Sequence, residues 1–337
     1  MSAQPEVTVI TPVYNGEKHL VQCVESVLDQ TYQNWFYLIV NNCSTDATGE
    51  IARRYAAKDS RIRVHENREF LPAIANHNAA LRLLYPSSKY CKLIFADDWL
   101  FPECLERMIA LAEAHPSVGI VGSYGLQDAF VLWAGLPYPS TVVPGRMACR
   151  RQLLDGLYVF GSGTSQMFRA DLVRERDTFY DENNLHCDSE VCFQILQNSD
   201  FGFVHQILSY TRAPGDESLT TKARRLRTYE FRALFEFITY GPVFLAPEEF
   251  ESCLTKRLEE HYDVMAHSIL EGNDSWDFQK SKLRELDLTL DRSRLTKAVL
   301  AAGFSALLHS PRETIAKLRN RKSVLYDRFC ALCGRSK

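Results

Sequence analysis

The amino-acid sequence predicts an α/β fold in which a mostly parallel sheet is flanked by helices, followed by a C-terminal helical region. Three observations support this prediction. Short apolar runs rich in β-branched and aromatic residues alternate with helical patterns from residue 7 onward. The strand-like runs are continuously apolar, which is typical of parallel strands covered on both faces. After Thr221 the pattern is helical and charged, without further strand signals.

The first half of the chain repeats a strand-helix unit. Strands are predicted at Val7–Thr11, Trp35–Val40, Ile62–His65, Cys91–Ala96 and Val118–Gly122. Between the first two strands, Leu20, Val24, Val27 and Leu28 share one face of a helix. Further helices are predicted at about 47–58 and 72–84 and from Pro102 onward. These elements lead us to expect two domains, residues 1–222 and 223–337.

Composition is that of an ordinary globular protein. The 337 residues are 46% apolar and carry a net charge of -3, and the ten cysteines lack the spacing of a disulfide scaffold. No signal peptide is recognised, and the longest apolar run is shorter than the ~20 residues that span a bilayer. We therefore expect a cytoplasmic protein. The pair Cys330 and Cys333 is either a metal or redox C-x-x-C or two residues of a terminal helix.

Polar loops are predicted where the first strands end. They are Thr11–Asn15, Asn41–Asp46 and the pair Asp97-Asp98, and ligands collect at the carboxyl ends of parallel strands. Neither G-x-G-x-x-G after the first strand nor a P-loop motif occurs, so glycine-rich phosphate binding is not supported. Two adjacent carboxylates suit Mg²⁺ or Mn²⁺, which in turn bridges phosphate oxygens. The alternative is that they cap the helix opened by Pro102.

Two segments taken together resemble a known enzyme family. They are "VTVITPVYNGEKHLVQCVESVLDQTYQNWFYLIVNNCSTDATGEIA" and "LIFADDWLFPECLERMIALAEAHPSVGIVGSY". In order and spacing they resemble family 2 inverting glycosyltransferases with the GT-A fold, over about residues 6–222. The resemblance implies a catalytic domain at 1–222 that uses a nucleotide-diphosphate sugar, with Mn²⁺ or Mg²⁺ as cofactor.

The resemblance also implies roles for individual residues. Tyr14 would lie against the nucleobase, beside Thr11 and Pro12, and Asn42 would contact the base in place of the usual aspartate. Asp98 would ligate the metal, with Asp97 at the ribose. Arg212 matches a family arginine and would contact the phosphates. His77 stands where many family members have another arginine, and it would contact the nucleotide there. For His77 and Arg212, the alternative is an ordinary surface residue.

A catalytic base is implied in "FYDENNLHCDSEVCFQIL", where Asp188 matches the family's aspartate and Cys187 replaces the usual preceding glutamate. This residue would take the proton of the acceptor hydroxyl during a single displacement. Two alternatives remain: Asp188 as the N-cap of a helix at 189–196, and a zinc site made by His186, Cys187 and Cys192.

The resulting hypothesis is a metal-dependent inverting glycosyltransferase that moves a sugar from a nucleotide-diphosphate sugar to a glycan or lipid-linked acceptor. The expected donor is a UDP-sugar. Its rivals are a catalytically silent nucleotide-sugar-binding protein and a nucleotidyltransferase. The latter predicts a loop rich in glycine and lysine after the first strand, whereas residues 12–18 hold one of each.

The end of the chain is basic. Residues 311–337 hold eight Lys or Arg and two Asp or Glu, interleaved with aliphatic and aromatic residues. Such a segment either rests on the anionic inner face of a membrane or docks on the catalytic domain. Nucleic acid is not an expected partner, because the chain is acidic overall and carries no recognisable binding motif.

Overall fold

A computed structural model describes residues 6–155, 158–213, 215, 218–271 and 275–309. The basic segment 311–337, with Cys330 and Cys333, lies outside the described residues. The chain divides into two compact units, Met1–Ala213 and Pro214–Lys337. The boundary proposed from sequence, between residues 222 and 223, falls inside a helix of the second unit, Leu219–Leu226.

In its described residues the first unit holds one sheet of ten strands. They are β1 (Val7–Val13), β2 (Trp35–Asn41), β3 (Ile62–Glu66), β4 (Tyr90–Leu93), β5 (Trp99–Leu100), β6 (Val118–Gln127), β7 (Phe130–Leu132), β8 (Val142–Val143), β9 (Gln166–Arg169) and β10 (Asp200–Tyr210). The main order is β3-β2-β1-β4-β9-β6-β10-β5. All five strands expected from the sequence are present, although β1 continues to Val13 and β4 ends at Leu93.

Strand direction decides which loops meet. β1, β2, β3 and β4 are parallel neighbours, so their carboxyl ends share one edge of the sheet. β9 enters antiparallel between β4 and β6, and β10 is parallel to β6. The beginning of β9 and the end of β10 therefore lie at that same edge. The predicted α/β class with a mostly parallel sheet is confirmed.

Helices cover the sheet of the first unit. They are α1 (Leu20–Leu28), α2 (Thr48–Ala56), α3 (Ala73–Leu81), α4 (Cys104–Ala114), α5 (Gly145–Leu154), α6 (Ala170–Arg174) and α7 (Cys187–Ile195), with a 3-10 turn at Gly163–Ser165. The face of α1 buries Leu20, Cys23, Val24 and Val27 in one core with the inner residues of β1 and β2. Three of the four residues of the predicted face are buried, while the fourth, Leu28, is partly buried. Full burial of a Leu or Val side chain contributes roughly 1.5–3 kcal/mol, so this stripe holds α1 on the sheet.

The described part of the second unit is helical. It contains α8 (Leu219–Leu226), α9 (Thr228–Phe244), α10 (Pro247–Glu271), α11 (Ser275–Glu285) and α12 (Arg292–His309). Leu234, Met265, Ile269 and Trp276 form the centre of its core. Among the helices that the structure describes, none is both long enough and apolar enough to cross a membrane.

Candidate active site

The loops that follow β1 and β2 are joined by hydrogen bonds. The backbone N–H of Asn15 donates to Ser44 Oγ at 2.9 Å, and the N–H of Thr45 donates to Asn15 Oδ1 at 2.8 Å. Asp46 Oδ1 accepts from the N–H of Thr48, the first residue of α2, at 3.0 Å. The two loops therefore form one ordered rim at the edge of the sheet.

The residues expected to contact the nucleotide on β1 differ in accessibility. Thr11 and Pro12 belong to the strand and are buried, whereas the Tyr14 side chain is 49% exposed. The Thr11 hydroxyl lies 2.8 Å from the Tyr37 hydroxyl and 3.7 Å from Cys23 Sγ. The Thr11 side chain is therefore hydrogen-bonded within the core, which corrects the expectation that Thr11 lies in a binding loop. Tyr14 alone of these three presents its side chain to solvent.

Asn42 and its neighbour Asn41 are also buried. The Asn42 side chain makes two hydrogen bonds with the backbone of Leu71, and Asn41 donates to Glu66 Oε2 at 2.5 Å. Both amides are thus bonded within the protein. A base contact by Asn42, as expected from the resemblance, would require these bonds to open.

Asp97 and Asp98 follow β4 at the edge where the parallel strands end, and their environments differ. Asp97 is exposed and Asp98 is 2% exposed. Asp98 Oδ2 accepts from the Thr164 hydroxyl at 2.6 Å, and Oδ1 accepts from the N–H of Arg212 at 3.0 Å. Helix α4 begins at Cys104 without a side-chain cap, so the alternative that these carboxylates cap it is wrong.

Burial, together with the charge of Asp97, raises the pKa of Asp98 to about 7 against the opposing hydrogen bonds from Thr164 and Arg212. The ionised carboxylate is therefore disfavoured at this position. Two residues that no sequence motif marks complete the surroundings of Asp98: Thr164 donates a hydrogen bond to it, and the charge of Lys92 lowers its pKa.

Arg212 reaches the Asp pair from the end of β10. Its Nε donates to the backbone oxygen of Asp97 at 3.2 Å, and its Nη2 donates to Gln22 Oε1 at 3.0 Å. The guanidinium also lies over the Trp99 ring, with 5.5 Å between its central carbon and the ring centroid. Arg212 is therefore a half-buried, multiply anchored residue of this edge, and the alternative of a freely solvated loop arginine is wrong.

His77 lies on α3 between two aromatic rings. Its ring stacks on Phe95 at 5.2 Å and meets Tyr180 edge-on at 6.4 Å. Burial lowers the pKa of His77 to about 4, so the imidazole is neutral at neutral pH. In this state it offers a phosphate a hydrogen bond and no positive charge, unlike the arginine that it replaces.

Asp188 is the second residue of α7. The helix begins at Cys187 with His186 at the N-cap, so the alternative that Asp188 is itself the N-cap is wrong. Its carboxylate is partly exposed and accepts from the N–H of Ser189 at 2.9 Å. An acidic side chain in the first turn is stabilised by the helix dipole. Burial raises the pKa of the Cys187 thiol and the Asp188 charge raises it further, so this neighbour stays protonated.

Asp188 is linked to β9 through Cys192. The Cys192 thiol contacts the backbone oxygen of Asp188 at 3.1 Å, and Gln166 Nε2 donates to Cys192 Sγ at 3.3 Å. Gln166 is the first residue of β9, the strand that begins at the edge holding Asp98. The backbone of Asp188 is thus linked, through the side chains of Cys192 and Gln166, to the strand that begins at the edge where Asp98 lies.

The chemistry of Asp97 and Asp98 suits part of a metal site. No group of three or more His, Cys, Asp or Glu suited to a metal occurs within the described residues. A hard divalent cation, however, is commonly held by one or two carboxylates together with phosphate oxygens and water. Asp98, a carboxylate whose pKa is raised first by burial and then by the charge of Asp97, fits a cation that binds together with a diphosphate.

Comparison with known proteins agrees with this architecture. The first structural relative is S. aureus TarS 1-349 in complex with UDP-GlcNAc, with a TM-score of 0.62, 17% identity and coverage of 97% of this chain and 92% of that one. The mannosyltransferase PcManGT from Pyrobaculum calidifontis, in complex with GDP-Man and Mn²⁺, has a TM-score of 0.57 at 17% identity, covering 97% and 87%. At such identities the likeness establishes the fold alone, and the predicted GT-A fold is confirmed.

Sequence comparison gives the family. EpsE of Bacillus subtilis (strain 168) is 36% identical over 152 residues, which are 44% of this chain and 53% of EpsE. The chain thus spans about half the length of this relative. The profile described as "Glycosyl transferase family 2" matches residues 8–177, half of the chain. The chain therefore belongs to glycosyl transferase family 2.

Proposed function

We propose that the protein is a metal-dependent inverting glycosyltransferase that moves a sugar from a nucleoside-diphosphate donor to a hydroxyl group of a glycan or lipid-linked acceptor. One observation carries the proposal. Asp97 and Asp98 stand at the edge where four parallel strands end, with the Arg212 loop bonded to both of them. Family membership supports the reaction class.

Asp98 would hold Mg²⁺ or Mn²⁺, and Asp97 would face the ribose. When bound, the cation supplies positive charge to the departing diphosphate. Arg212 carries a second positive charge to the same place, since its guanidinium lies against the backbone of Asp97. PcManGT, whose structure contains GDP-Man and Mn²⁺, supports a cation that binds together with the nucleotide sugar.

Tyr14 would stack on the nucleobase, because its ring is half-exposed and its neighbour Asn15 is bonded to the loop that follows β2. Pro12 would shape that end of β1, and His77 would be a neutral hydrogen-bonding neighbour. A UDP-sugar is the donor we favour, since the TarS structure contains UDP-GlcNAc.

Asp188 would act as the general base. Its carboxylate takes the proton of the acceptor hydroxyl while the hydroxyl oxygen forms a bond to the anomeric carbon. The bond between that carbon and the diphosphate oxygen breaks, and its electron pair leaves with the nucleoside diphosphate. A single displacement inverts the configuration at this carbon. The partly exposed position of Asp188 in the first turn of α7 is compatible with this role.

The test is a donor screen with purified full-length protein. UDP-, GDP- and dTDP-sugars are offered with Mn²⁺ or Mg²⁺ and with glycan acceptors, and nucleotide release is measured. Asp98→Ala and Asp188→Ala are compared with Asp181→Ala, which removes an exposed carboxylate that accepts hydrogen bonds from Asn183 in the same loop. Metal-dependent release that needs Asp98 and Asp188 but not Asp181 would support the proposal.

Binding without turnover would favour the second candidate, a silent nucleotide-sugar-binding protein. The buried, internally bonded Asn42 and the neutral His77 favour that candidate. Stabilisation by a nucleotide sugar in a thermal-shift assay, with no release in the presence of acceptors, would replace the enzyme proposal.

We further propose a peripheral contact with an anionic membrane surface through the end of the chain. Four large apolar side chains are exposed on α12: Leu300, Phe304, Leu307 and Leu308. No charged residue occurs between Ala298 and Leu308, and the basic segment 311–337 follows directly. Apolar residues beside Lys and Arg are typical of interfacial helices.

Full-length protein and the double variant Leu300→Gln/Phe304→Gln are compared by co-sedimentation with phosphatidylserine vesicles. Tyr138→Ala, which removes an exposed ring of the first unit, is the control. Weaker binding of the double variant alone would support the contact, and equal sedimentation of all three would refute it.

A further inference from the structure

The side chain of Asn42 is paired with the backbone of the loop that follows β3. Asn42 Oδ1 accepts from the N–H of Leu71 at 3.0 Å, and Asn42 Nδ2 donates to the Leu71 oxygen at 2.8 Å. Oδ1 also accepts from Asn67 Nδ2 at 2.9 Å. Asn42 is 1% exposed, so its amide groups would be left unsatisfied if these bonds to the loop were broken.

Asn67 ties the same loop to two other elements. Its Nδ2 donates to Asn76 Oδ1 of α3 at 2.8 Å, and its N–H donates to the Asn41 oxygen at 3.0 Å. Asn41, Asn42 and Asn76 are all buried. The loop at residues 67–71 is therefore anchored at both ends by buried hydrogen bonds.

The anchored loop presents Phe70 to the ring of Tyr14. The ring centroids are 4.8 Å apart and the planes meet at 66°. Phe70 is 56% exposed and Tyr14 49% exposed, so a large part of each ring is in contact with water. Both residues follow the ends of parallel strands, β1 and β3, at the edge that carries Asp97 and Asp98. The two rings form an open apolar corner that a planar heterocycle can fill.

We propose that Phe70 is a second nucleobase-contacting residue, and that Asn42 is a positioning residue that holds it there. The inference rests on the proposed function, because it assumes a nucleoside-diphosphate ligand. A base that stacks on one ring of the corner meets the other ring with its edge. Because stacking tolerates any base, the corner contributes affinity for uracil and guanine alike, and Asn42 does not choose between them.

The test measures dissociation constants for UDP and GDP, each with Mn²⁺, by calorimetry. Inorganic pyrophosphate with Mn²⁺ is the probe for the phosphate site. Phe70→Ala, Phe70→Tyr, Tyr14→Ala and Asn42→Ala are compared with Phe130→Ala, an exposed aromatic residue of β7. The Phe70 side chain is largely in water, so its removal is expected to leave the unfolding temperature unchanged.

Phe70→Ala should weaken the binding of UDP and of GDP by similar factors, about fivefold to a hundredfold. The affinity for pyrophosphate should not change. Phe70→Tyr should restore binding, and Phe130→Ala should resemble the wild type. The positioning role of Asn42 is read from the double variant Asn42→Ala/Phe70→Ala. It should bind no more weakly than Phe70→Ala alone, because Asn42 acts through Phe70.

The outcomes separate the two proposals. Wild-type protein that binds UDP and GDP, with Phe70→Ala unchanged, would overturn this inference and leave the proposed function standing. An additive loss in the double variant, or a changed ratio of UDP to GDP affinity in Asn42→Ala, would show that Asn42 contacts the base itself and would overturn its positioning role. A wild type that binds no nucleotide would overturn the proposed function and this inference together.

Discussion

Thr164 donates its hydroxyl hydrogen to Oδ2 of Asp98 across 2.6 Å, from a position with no solvent exposure. Thr164 precedes β9, and Asp98 follows β4. The two meet because β9 runs antiparallel to β4 and begins at the edge where β4 ends. The hydrogen bond favours the ionised form of Asp98 and opposes the effect of burial on its pKa.

Replacing Thr164 with Val should move the pH profile of metal-stimulated nucleotide release toward higher pH. The substitution keeps the shape and removes the donor, so the pKa of Asp98, already about 7, rises further. In the proposed function a cation binds the ionised carboxylate, so a pKa higher by about one should move metal-stimulated nucleotide release to a pH higher by about one and lower it roughly fivefold at pH 7. The measurement is the pH profile of release at fixed Mn²⁺. Thr164→Ser keeps the donor and serves as the control, and superimposable profiles for Val and Ser would contradict the prediction.

Lys92→Met should destabilise the protein strongly. Lys92 lies in β4 with no exposed surface, and its Nζ donates to the backbone oxygens of Thr164 and Gln166, the latter at 3.0 Å. Burial lowers the pKa of this ammonium. Its removal leaves two buried carbonyls without their partner, which should cost about 2–5 kcal/mol of unfolding free energy.

Urea unfolding of the Lys92 variant is compared with that of Lys89→Met. Lys89 is exposed and pairs with Glu113 at 2.5 Å, a surface ion pair that contributes at most about 1 kcal/mol. Equal losses in the two variants would show that the buried contacts of Lys92 do not stabilise the fold.

The sequence predicted the strands of the first unit and the edge at which Asp98 lies, because continuous apolar runs and short polar loops are local signals. It did not predict that Thr164 would meet Asp98, since that contact depends on the antiparallel entry of β9 across 66 residues of chain. Asn42 shows the same limit. The motif marks its place after β2, but its pairing with Leu71 depends on how the loop after β3 folds back.

His261 should make the second unit less stable in acid. It is 2% exposed in α10, and within the described residues neither ring nitrogen has a hydrogen-bond partner. Burial lowers the pKa of His261 to about 4 from 6.5. The unfolded chain binds the proton more readily than the folded one, so this contribution to stability is complete above pH 6.5. It is lost as pH falls toward 4, by up to about 3 kcal/mol.

The measurement is the free energy of unfolding between pH 7.5 and 4 for wild type and His261→Leu. The leucine variant should lose less stability over this range. His267→Leu, an exposed histidine on the same helix, should follow the wild type. A His261→Leu curve parallel to that of the wild type would mean that His261 does not titrate abnormally.

Asp188→Asn should abolish transfer while sparing donor binding. The amide keeps the size of the side chain and its hydrogen bond from the N–H of Ser189, which is 2.9 Å long in the native protein, but it is too weak a base to take a proton. Loss of a general base lowers kcat by about 10²–10⁴-fold. Donor affinity, measured by calorimetry with UDP and Mn²⁺, should remain within twofold of wild type. Glu190→Gln is the matched control, because Glu190 lies in the same first turn and accepts from Asn184 at 2.7 Å. If Glu190→Gln lost transfer and Asp188→Asn kept it, the base would be Glu190.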